Sequence, residues 1–144
     1  MPFRTPAEIL LVEDNPGDVR LLEEALKEAH LVCHLHVARD GEQALQFLDQ
    51  TGVYGYAPRP DIILLDLNLP RKGGNEVLSA IKQNPALRSI PVLILSTSTR
   101  EEDIARAYDL HANCYIPKPV DLETLVQIGR QIDAFWMHTA VLPA

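Results

Sequence analysis

The segment DIILLDLNLP, which spans residues 61–70, decides the fold that the sequence predicts. Four consecutive aliphatic residues lead into Asp66, and Pro60 and Pro70 bound the run on its two sides. A short, continuous apolar run is typical of a parallel strand that is buried on both faces, and proline prevents the strand from continuing. We therefore expect Asp66 at the carboxyl end of a buried strand, where open α/β sheets bind their ligands.

Three more apolar segments lead into polar residues in the same way. They are residues 9–12, followed by Glu13 and Asp14; residues 91–95, followed by Ser96; and residues 112–116, followed by Pro117 and Lys118. Residues 31–38 alternate between apolar and polar positions, which is typical of a strand at the edge of a sheet. The stretches between these five segments have the apolar periodicity of amphipathic helices. The alternation predicts a five-stranded, parallel, doubly wound α/β sheet with helices on both faces.

The bulk composition indicates one globular domain. The 144 residues support a single core, and 47% hydrophobic with 23% charged residues is an ordinary balance. A formal net charge of −7 without a basic patch argues against nucleic-acid binding. No apolar run is long enough to span a membrane and residues 1–6 contain no signal segment, so we expect a cytoplasmic protein. Cys33 and Cys114 are too few for a disulfide scaffold and are expected to be buried free thiols.

The polar residues that follow the strands are expected to meet, because the carboxyl ends of parallel strands lie at one edge of the sheet. Glu13, Asp14 and Asp66 would crowd three carboxylates together, which calls for a compensating positive charge. Mg²⁺ or another divalent cation can supply it, since such ions prefer oxygen ligands. We expect Asp14, Asp66 and the main-chain carbonyl of Asn68 to bind the ion directly, and Glu13 to hold a metal-bound water.

The same arrangement predicts phosphoryl transfer to a side chain. With the cation bound, Asp66 could act as a nucleophile toward phosphorus and form an acyl phosphate. Lys118 can pair with one phosphoryl oxygen, and the Ser96 hydroxyl can donate a hydrogen bond to another. For Glu13 the alternative is a solvated strand end that has no role in the site.

These motifs resemble the signature of response-regulator receiver domains. The resemblance rests on Glu13-Asp14, on Asp66 with Pro70 and Gly74 after it, on Ser96, and on Lys118-Pro119. It extends over residues 8–132, which leaves 1–7 as an N-terminal tail and 133–144 as a helix extension and tail. The resemblance implies a flavodoxin-like strand order, 2-1-3-4-5. It also implies phosphotransfer from a sensor histidine kinase onto Asp66, with slow self-catalysed hydrolysis and no separate enzymatic activity.

The resemblance further implies a conformational switch. Ser96 would move toward the phosphate and Tyr115 would rotate inward, which alters the face formed by the last two strands and helices. The alternative is a fixed, half-buried Tyr115. Other residues are similar to small receivers that are paired with cyanobacterial phytochromes and work without an attached output domain. These residues are Ser96, 109–111, 113–115, Phe135, Trp136, Thr139, Ala140, Leu142 and Pro143.

An apolar stripe in the C-terminal segment continues beyond the helix length needed to cover the sheet. Asp121 is expected to cap a helix that could reach Ala140, about 30 Å long at about 1.5 Å per residue. Phe135 and Trp136 would either fold back on their own domain or form a self-complementary homodimer, which is the alternative that we favour.

The histidines near residue 34 suggest a metal site. His30, Cys33, His34 and His36 all carry possible ligands. Alternation, however, places Cys33 on the opposite face of the strand from His34 and His36, so the set cannot close around one ion. We expect Cys33 in the core and the histidines on the surface.

Two rival functions are compatible with an acid at this position. An aspartyl-phosphate phosphatase would use Asp66 as a transient nucleophile, but Asn68 occupies the position where such enzymes usually carry the acid that protonates the leaving group. A non-phosphorylated adaptor with the same fold would bind partners without any turnover at the acidic pocket.

Overall fold

The structure is a computed structural model that describes residues 6–119 and 121–143. Within these residues, five strands alternate with five α-helices. The strands are β1 (Ala7–Val12), β2 (Cys33–Ala38), β3 (Ile62–Asp66), β4 (Val92–Ser96) and β5 (Cys114–Pro117). The helices are α1 (Pro16–Glu28), α2 (Gly41–Asp49), α3 (Gly74–Gln83), α4 (Glu101–Asp109) and α5 (Leu122–Gln131). A 3₁₀ turn (Gly52–Tyr54) follows α2, and a π-helical segment (Ile132–Thr139) continues α5.

The five strands are parallel and lie in the order β2-β1-β3-β4-β5, which confirms the predicted doubly wound, flavodoxin-like sheet. Leu65 in β3 pairs with Val12 on one side and with Ile94 on the other. Ile94 in turn pairs with Tyr115. Because these four residues form one level row, the carboxyl ends of β1, β3, β4 and β5 lie at the same edge of the sheet.

The central strand β3 separates two apolar layers. Ile63 and Leu65 face a layer that includes residues of α2 and α3, whereas Ile62 and Leu64 face a layer that includes residues of α1 and α5. All four of these side chains are completely inaccessible to solvent. The continuous apolar run therefore belongs to a strand covered on both faces, as predicted.

Polar side chains cap the N-termini of three helices. Asn15 Oδ1 accepts hydrogen bonds from the main-chain N–H groups of Gly17 (2.9 Å) and Asp18 (3.1 Å). Asp40 and Asp121 cap α2 and α5, as predicted, and each accepts the N–H of the residue three positions later. The Asn15 cap starts α1 immediately after β1. It thereby places Asp18, in the first turn of α1, beside the carboxyl edge of the sheet.

The C-terminal helix differs in part from its prediction. Helical backbone continues from Leu122 to Thr139, but its second part is π-helical rather than α-helical. The Ala140 N–H donates to the Phe135 carbonyl (2.6 Å) where this segment ends. Trp136 packs against the apolar layer that α1 and α5 cover, as the fold-back alternative predicts, whereas Phe135 stays 52% exposed.

The predicted division into a tail (1–7), a receiver domain (8–132) and a C-terminal extension (133–144) stays a prediction. The first strand begins at Ala7, one residue before the predicted start. Most of the predicted tail, residues 1–7, lies outside the described residues. Within the described part of the chain, no helix is both long and apolar enough to cross a membrane.

The edge strand β2 has the alternation that the sequence predicts. Cys33 packs against the layer formed with α1 and α5, and His34 is exposed on the other face. Both cysteines are free, but the expectation that they are buried is wrong, because each is only half-buried. The reason is that Cys33 begins one edge strand and Cys114 begins the other, and no further strand among the described residues pairs with either edge.

Candidate functional site

Three carboxyl groups meet at the carboxyl edge of the sheet. Glu13 and Asp14 follow β1 directly, and Asp66 is the last residue of β3. One ligand oxygen from each of them lies within 4.8 Å of the other two. Glu13 and Asp66 are buried, at 3% and 6% exposure, whereas Asp14 is open to solvent. The level ends of neighbouring strands thus bring together the acids that the sequence singled out.

Lys118 enters the same cluster from the end of β5. Its main-chain N–H donates to the Ser96 carbonyl (2.7 Å), which fixes the backbone beside β4. The Lys118 Nζ donates to Glu13 Oε1 and to Asp18 Oδ2 (2.8 Å), and it lies 3.6 Å from Asp66 Oδ2. Burial alone would lower the pKa of Lys118, but hydrogen bonds to Asp18 and Glu13 and the charge of Asp66 outweigh it and raise the pKa. Lys118 is therefore a permanent cation at the site.

Negative charge remains in excess despite this ammonium group. Burial raises the pKa of Glu13 to about 7; the hydrogen bond from Lys118 opposes the rise, and the neighbouring Asp66 adds to it. Burial and the negative charge of Asp66 thus make the ionised form of Glu13 costly, and a further positive charge beside it would lower that cost. The cluster therefore fits a divalent cation.

The donor set of the cluster suits a hard cation. Glu13, Asp14 and Asp66 can hold a divalent ion through carboxylate oxygens, which are the ligands that Mg²⁺ and Mn²⁺ prefer. The bound ion would neutralise charge on the oxygens of a transferring phosphoryl group. The Asn68 main-chain N–H donates to Asp66 Oδ1 (3.1 Å), which orients the carboxylate. The predicted role of the Asn68 carbonyl as a ligand stays a prediction.

The predicted switch residues are joined by hydrogen bonds through the loop after β4. The Ser96 hydroxyl, which is 1% exposed, accepts the Ser98 main-chain N–H (3.1 Å). The Tyr115 hydroxyl donates to the Ser98 carbonyl (2.8 Å), and the Ser98 hydroxyl donates to Asp103 Oδ2 (2.5 Å) at the start of α4. Tyr115 is half-buried. A displacement of Ser96 would therefore affect both Tyr115 and α4, because Ser98 is hydrogen-bonded to all three.

Gly74 allows α3 to begin against the loop that follows Asp66. A Cβ atom at this position would lie 2.4 Å from Leu67 Cα and 2.6 Å from the Asp66 carbonyl oxygen. The Gly74 N–H donates to the Leu67 carbonyl (3.1 Å) across the same contact. Only glycine permits this approach, so the glycine quoted in the sequence motif has a direct packing role beside Asp66.

Sequence reasoning missed Asp18 and Asp103. Asp18 is a direct partner of Lys118, and a helix-start signal could have found it, since Asn15-Pro16 puts the first turn of α1 at the carboxyl edge. Asp103 carries no comparable signal, because an acid in the first turn of a helix is common whether or not a site lies beside it.

Residues 9–130 match the sequence model of the family described as "Response regulator receiver domain". The chain belongs to this family. Response regulator Rcp1 from Synechocystis sp. is 50% identical over 139 residues, which cover 96% of this chain and 95% of Rcp1. The crystal structure of the phosphorylated cyanobacterial phytochrome response regulator RcpA shares 51% identity, with a TM-score of 0.91 over 97% of this chain and 100% of RcpA. The Mn²⁺-bound form of Rcp1 gives a TM-score of 0.88 over 96% of this chain and 100% of that structure.

These similarities identify the chain as a phosphoacceptor of two-component signalling that resembles phytochrome response regulators. Rcp1 and RcpA match over nearly their whole lengths, so one receiver domain accounts for the similarity. Receiver domains bind divalent cations, and the Mn²⁺-bound Rcp1 structure agrees with the acidic cluster of Glu13, Asp14 and Asp66. The predicted receiver fold and the similarity to phytochrome response regulators are thereby confirmed, and the acidic cluster agrees with the predicted divalent cation.

Proposed function

We propose that Asp66 accepts a phosphoryl group from a sensor histidine kinase of the phytochrome type. The observation that supports this most directly is the position of the Asp66 carboxylate. It is buried at the carboxyl edge of β3, beside two further acids that suit a cation and 3.6 Å from the Lys118 ammonium. The chain is 51% identical to RcpA, which is a cyanobacterial phytochrome response regulator. This similarity supports a kinase of the phytochrome type.

In this proposal the transfer is a direct displacement at phosphorus. An Asp66 carboxylate oxygen forms the new P–O bond while the N–P bond of the kinase phosphohistidine breaks, and the imidazole leaves with the electron pair. Lys118 exchanges a contact with Asp18 or Glu13 for one with a phosphoryl oxygen. The Ser96 hydroxyl donates to a second oxygen. Water later attacks the same phosphorus, the P–O bond to Asp66 breaks, and inorganic phosphate leaves while the Asp66 carboxylate is restored.

The signal then passes through the loop after β4. The Ser96 hydroxyl now accepts a hydrogen bond from Ser98, so its movement toward phosphate would pull on the Ser98 backbone. That backbone holds the Tyr115 hydroxyl, and the Ser98 side chain holds Asp103 in α4. Phosphorylation would therefore rearrange Tyr115 together with α4 and change a surface available to partners.

We also infer a homodimer in the cytoplasm, built on the C-terminal helix and tail. Phe135 is 52% exposed and stacks edge-on against Trp136, with ring centroids 5.2 Å apart. An exposed aromatic ring on a continuous helical surface is the kind of anchor that a self-complementary interface uses. Sedimentation of Phe135→Ala should give monomers where the wild type gives dimers; wild-type monomers at every concentration would remove the dimer.

The test of the phosphoacceptor is intact mass after incubation with Mg²⁺ and a small phosphodonor. Wild type should gain one phosphoryl group, and Asp66→Asn should gain none. Asp61→Asn is the matched control, because Asp61 lies at the opposite end of the same strand and accepts the Glu8 N–H (2.8 Å) there. Label on Asp66→Asn at the wild-type rate would refute the assignment.

The same assay separates the alternatives. A phosphatase would hydrolyse a small phosphomonoester with multiple turnovers, and Asp66→Asn would abolish that turnover. A non-phosphorylated adaptor would take no label, and calorimetry would show no Mg²⁺ binding to the wild type. Label that stays on the protein for many minutes, without turnover, supports the phosphoacceptor over both.

A further inference from the structure

A second cluster of possible metal ligands lies on the outer edge of the sheet, formed by β1 and β2. The parallel register pairs Glu8 directly with His34, and His36 follows two residues later on the same face. Glu8 Oε1 lies 2.8 Å from His34 Nδ1, and Glu8 Oε2 lies 2.6 Å from His36 Nε2. One carboxylate therefore lies between two imidazole rings.

The surroundings hold the Glu8 backbone and the His36 ring in place while leaving all three side chains accessible. The Glu8 main-chain N–H donates to Asp61 Oδ2 (2.8 Å), and the His36 ring packs against Phe47 with centroids 5.3 Å apart. The side chains of Glu8 and His36 are 24% and 28% exposed, and that of His34 is 60% exposed. A solvated ion can thus reach the cluster, and His34 is free to turn.

The chemistry of the donor set indicates which ion would bind. Two imidazole nitrogens and one carboxylate oxygen form a three-ligand set that Zn²⁺ accepts, with a fourth position left open. Mg²⁺ prefers oxygen ligands only and suits the acidic cluster at the other site. The two sites therefore differ in donor chemistry as well as in location.

We propose that Glu8, His34 and His36 form a binding site for Zn²⁺ or a similar transition-metal dication. Both imidazoles would bind through the nitrogens that now face Glu8, His34 Nδ1 and His36 Nε2, after any proton on them has passed to solvent, and one Glu8 oxygen would be the third ligand. With metal–ligand bonds of about 2.0–2.1 Å, tetrahedral ligand atoms lie roughly 3.3 Å apart. Each N···O distance must therefore open by roughly half an ångström, and the exposed His34 ring must turn so that its nitrogen comes to roughly 3.3 Å from that of His36.

Sequence reasoning rejected a metal site here because it searched for the third ligand within the same strand. Cys33 lies on the other face of β2 and packs against the core. The third ligand is Glu8, which comes from the neighbouring strand through the β1–β2 register. This pairing depends on the fold and is absent from the local sequence.

The test is a titration of the full chain with Zn²⁺ in the presence of excess Mg²⁺, which keeps the acidic cluster filled. A chromophoric zinc indicator should report one equivalent of bound Zn²⁺ for the wild type. Glu8→Gln and His34→Gln should each weaken the affinity at least about tenfold, by analogy with the loss of groups that support a metal site. His30→Asn is the matched control, because His30 is exposed just before β2 and its positive φ (59°) is one that asparagine tolerates.

A second readout separates metal coordination from a general effect on the fold. Co²⁺ in place of Zn²⁺ should give the visible absorption of a tetrahedral complex in the wild type and in His30→Asn, and lose it in His34→Gln. The exposed His34 side chain can be replaced without disturbing the core, so unfolding would not explain the loss. No Zn²⁺ binding to the wild type, or equal binding to Glu8→Gln and His34→Gln, would overturn the proposal.

Discussion

Replacement of Gly74 by alanine tests whether close backbone packing positions the loop that carries Asp66. The added Cβ would lie 2.4 Å from Leu67 Cα and 2.6 Å from the Asp66 carbonyl oxygen. Both neighbours are backbone atoms and cannot rotate away, as a flexible side chain could. Either α3 or the loop after Asp66 must therefore move.

The expected change in the free energy of unfolding of Gly74→Ala combines two opposing effects. Overpacking of a tight contact costs about 1–3 kcal/mol, and the upper value applies because backbone must shift. Alanine regains about 1 kcal/mol, since it is the better helix former. The free energy of unfolding should thus fall by roughly 2 kcal/mol, or about 6 °C in Tm at roughly 3 °C per kcal/mol. Phosphorylation of Asp66 should slow by roughly 10–100-fold, because small displacements of a reacting group are costly.

Urea unfolding and the rate of labelling by a small phosphodonor measure these two effects. Gly73→Ala is the matched control, since a Cβ there meets no atom within 4 Å and its φ of −64° suits alanine. Because Gly73 is the N-cap of α3 and alanine is a poorer cap, its stability should fall by no more than about 1 kcal/mol, with unchanged labelling. If Gly74→Ala unfolds at the same urea concentration as Gly73→Ala and labels as fast, the close contact does not control the site.

Other perturbations test separate parts of the structure. Asp40→Ala removes the cap of α2 and should lower the free energy of unfolding by about 1–2 kcal/mol in urea. Leu78→Ala empties a fully buried position and should cost about 2–5 kcal/mol in the same assay. Tyr115→Phe removes a hydroxyl that donates to a loop carbonyl and should cost about 1 kcal/mol. Burial raises the pKa of Cys114 to about 11, so in Cys33→Ser its alkylation by iodoacetamide should be slow at pH 8 and accelerate up to about pH 11. Because the unfolded thiol ionises near pH 9, the same shift makes the free energy of unfolding fall as pH rises from 9 to about 11.

The sheet could be predicted because each strand carries its own signal. The buried run that ends at Asp66 has no polar residue, and β2 alternates, so the centre and one edge of the sheet can be distinguished from sequence. The π-helical end of the chain carried no such signal. An apolar stripe specifies which face of a helix is buried, but the pitch near Phe135 and Trp136 depends on how the segment meets the core.

The site was predictable only as far as strand ends determine it. Glu13, Asp66 and Lys118 meet because parallel strands end level, and this follows from topology alone. Asp18 approaches from a helix, whose distance from Lys118 depends on the packing of α1. The contact between Glu8 and His34 depends on the register of β1 against β2, which apolar periodicity does not reveal.

The charges around Lys118 explain why this edge of the sheet favours both a divalent cation and a phosphoryl group. Four carboxyl groups, those of Glu13, Asp14, Asp18 and Asp66, lie around or near one ammonium group. The protein can relieve this excess by keeping a proton on Glu13, whose pKa is raised to about 7. A bound divalent cation would compensate the negative charge more fully than one proton does. Lys118 would then no longer be the main positive charge beside the carboxyl groups. The same ammonium is then available to a phosphoryl oxygen, so the crowding of the acids prepares the site for both ligands.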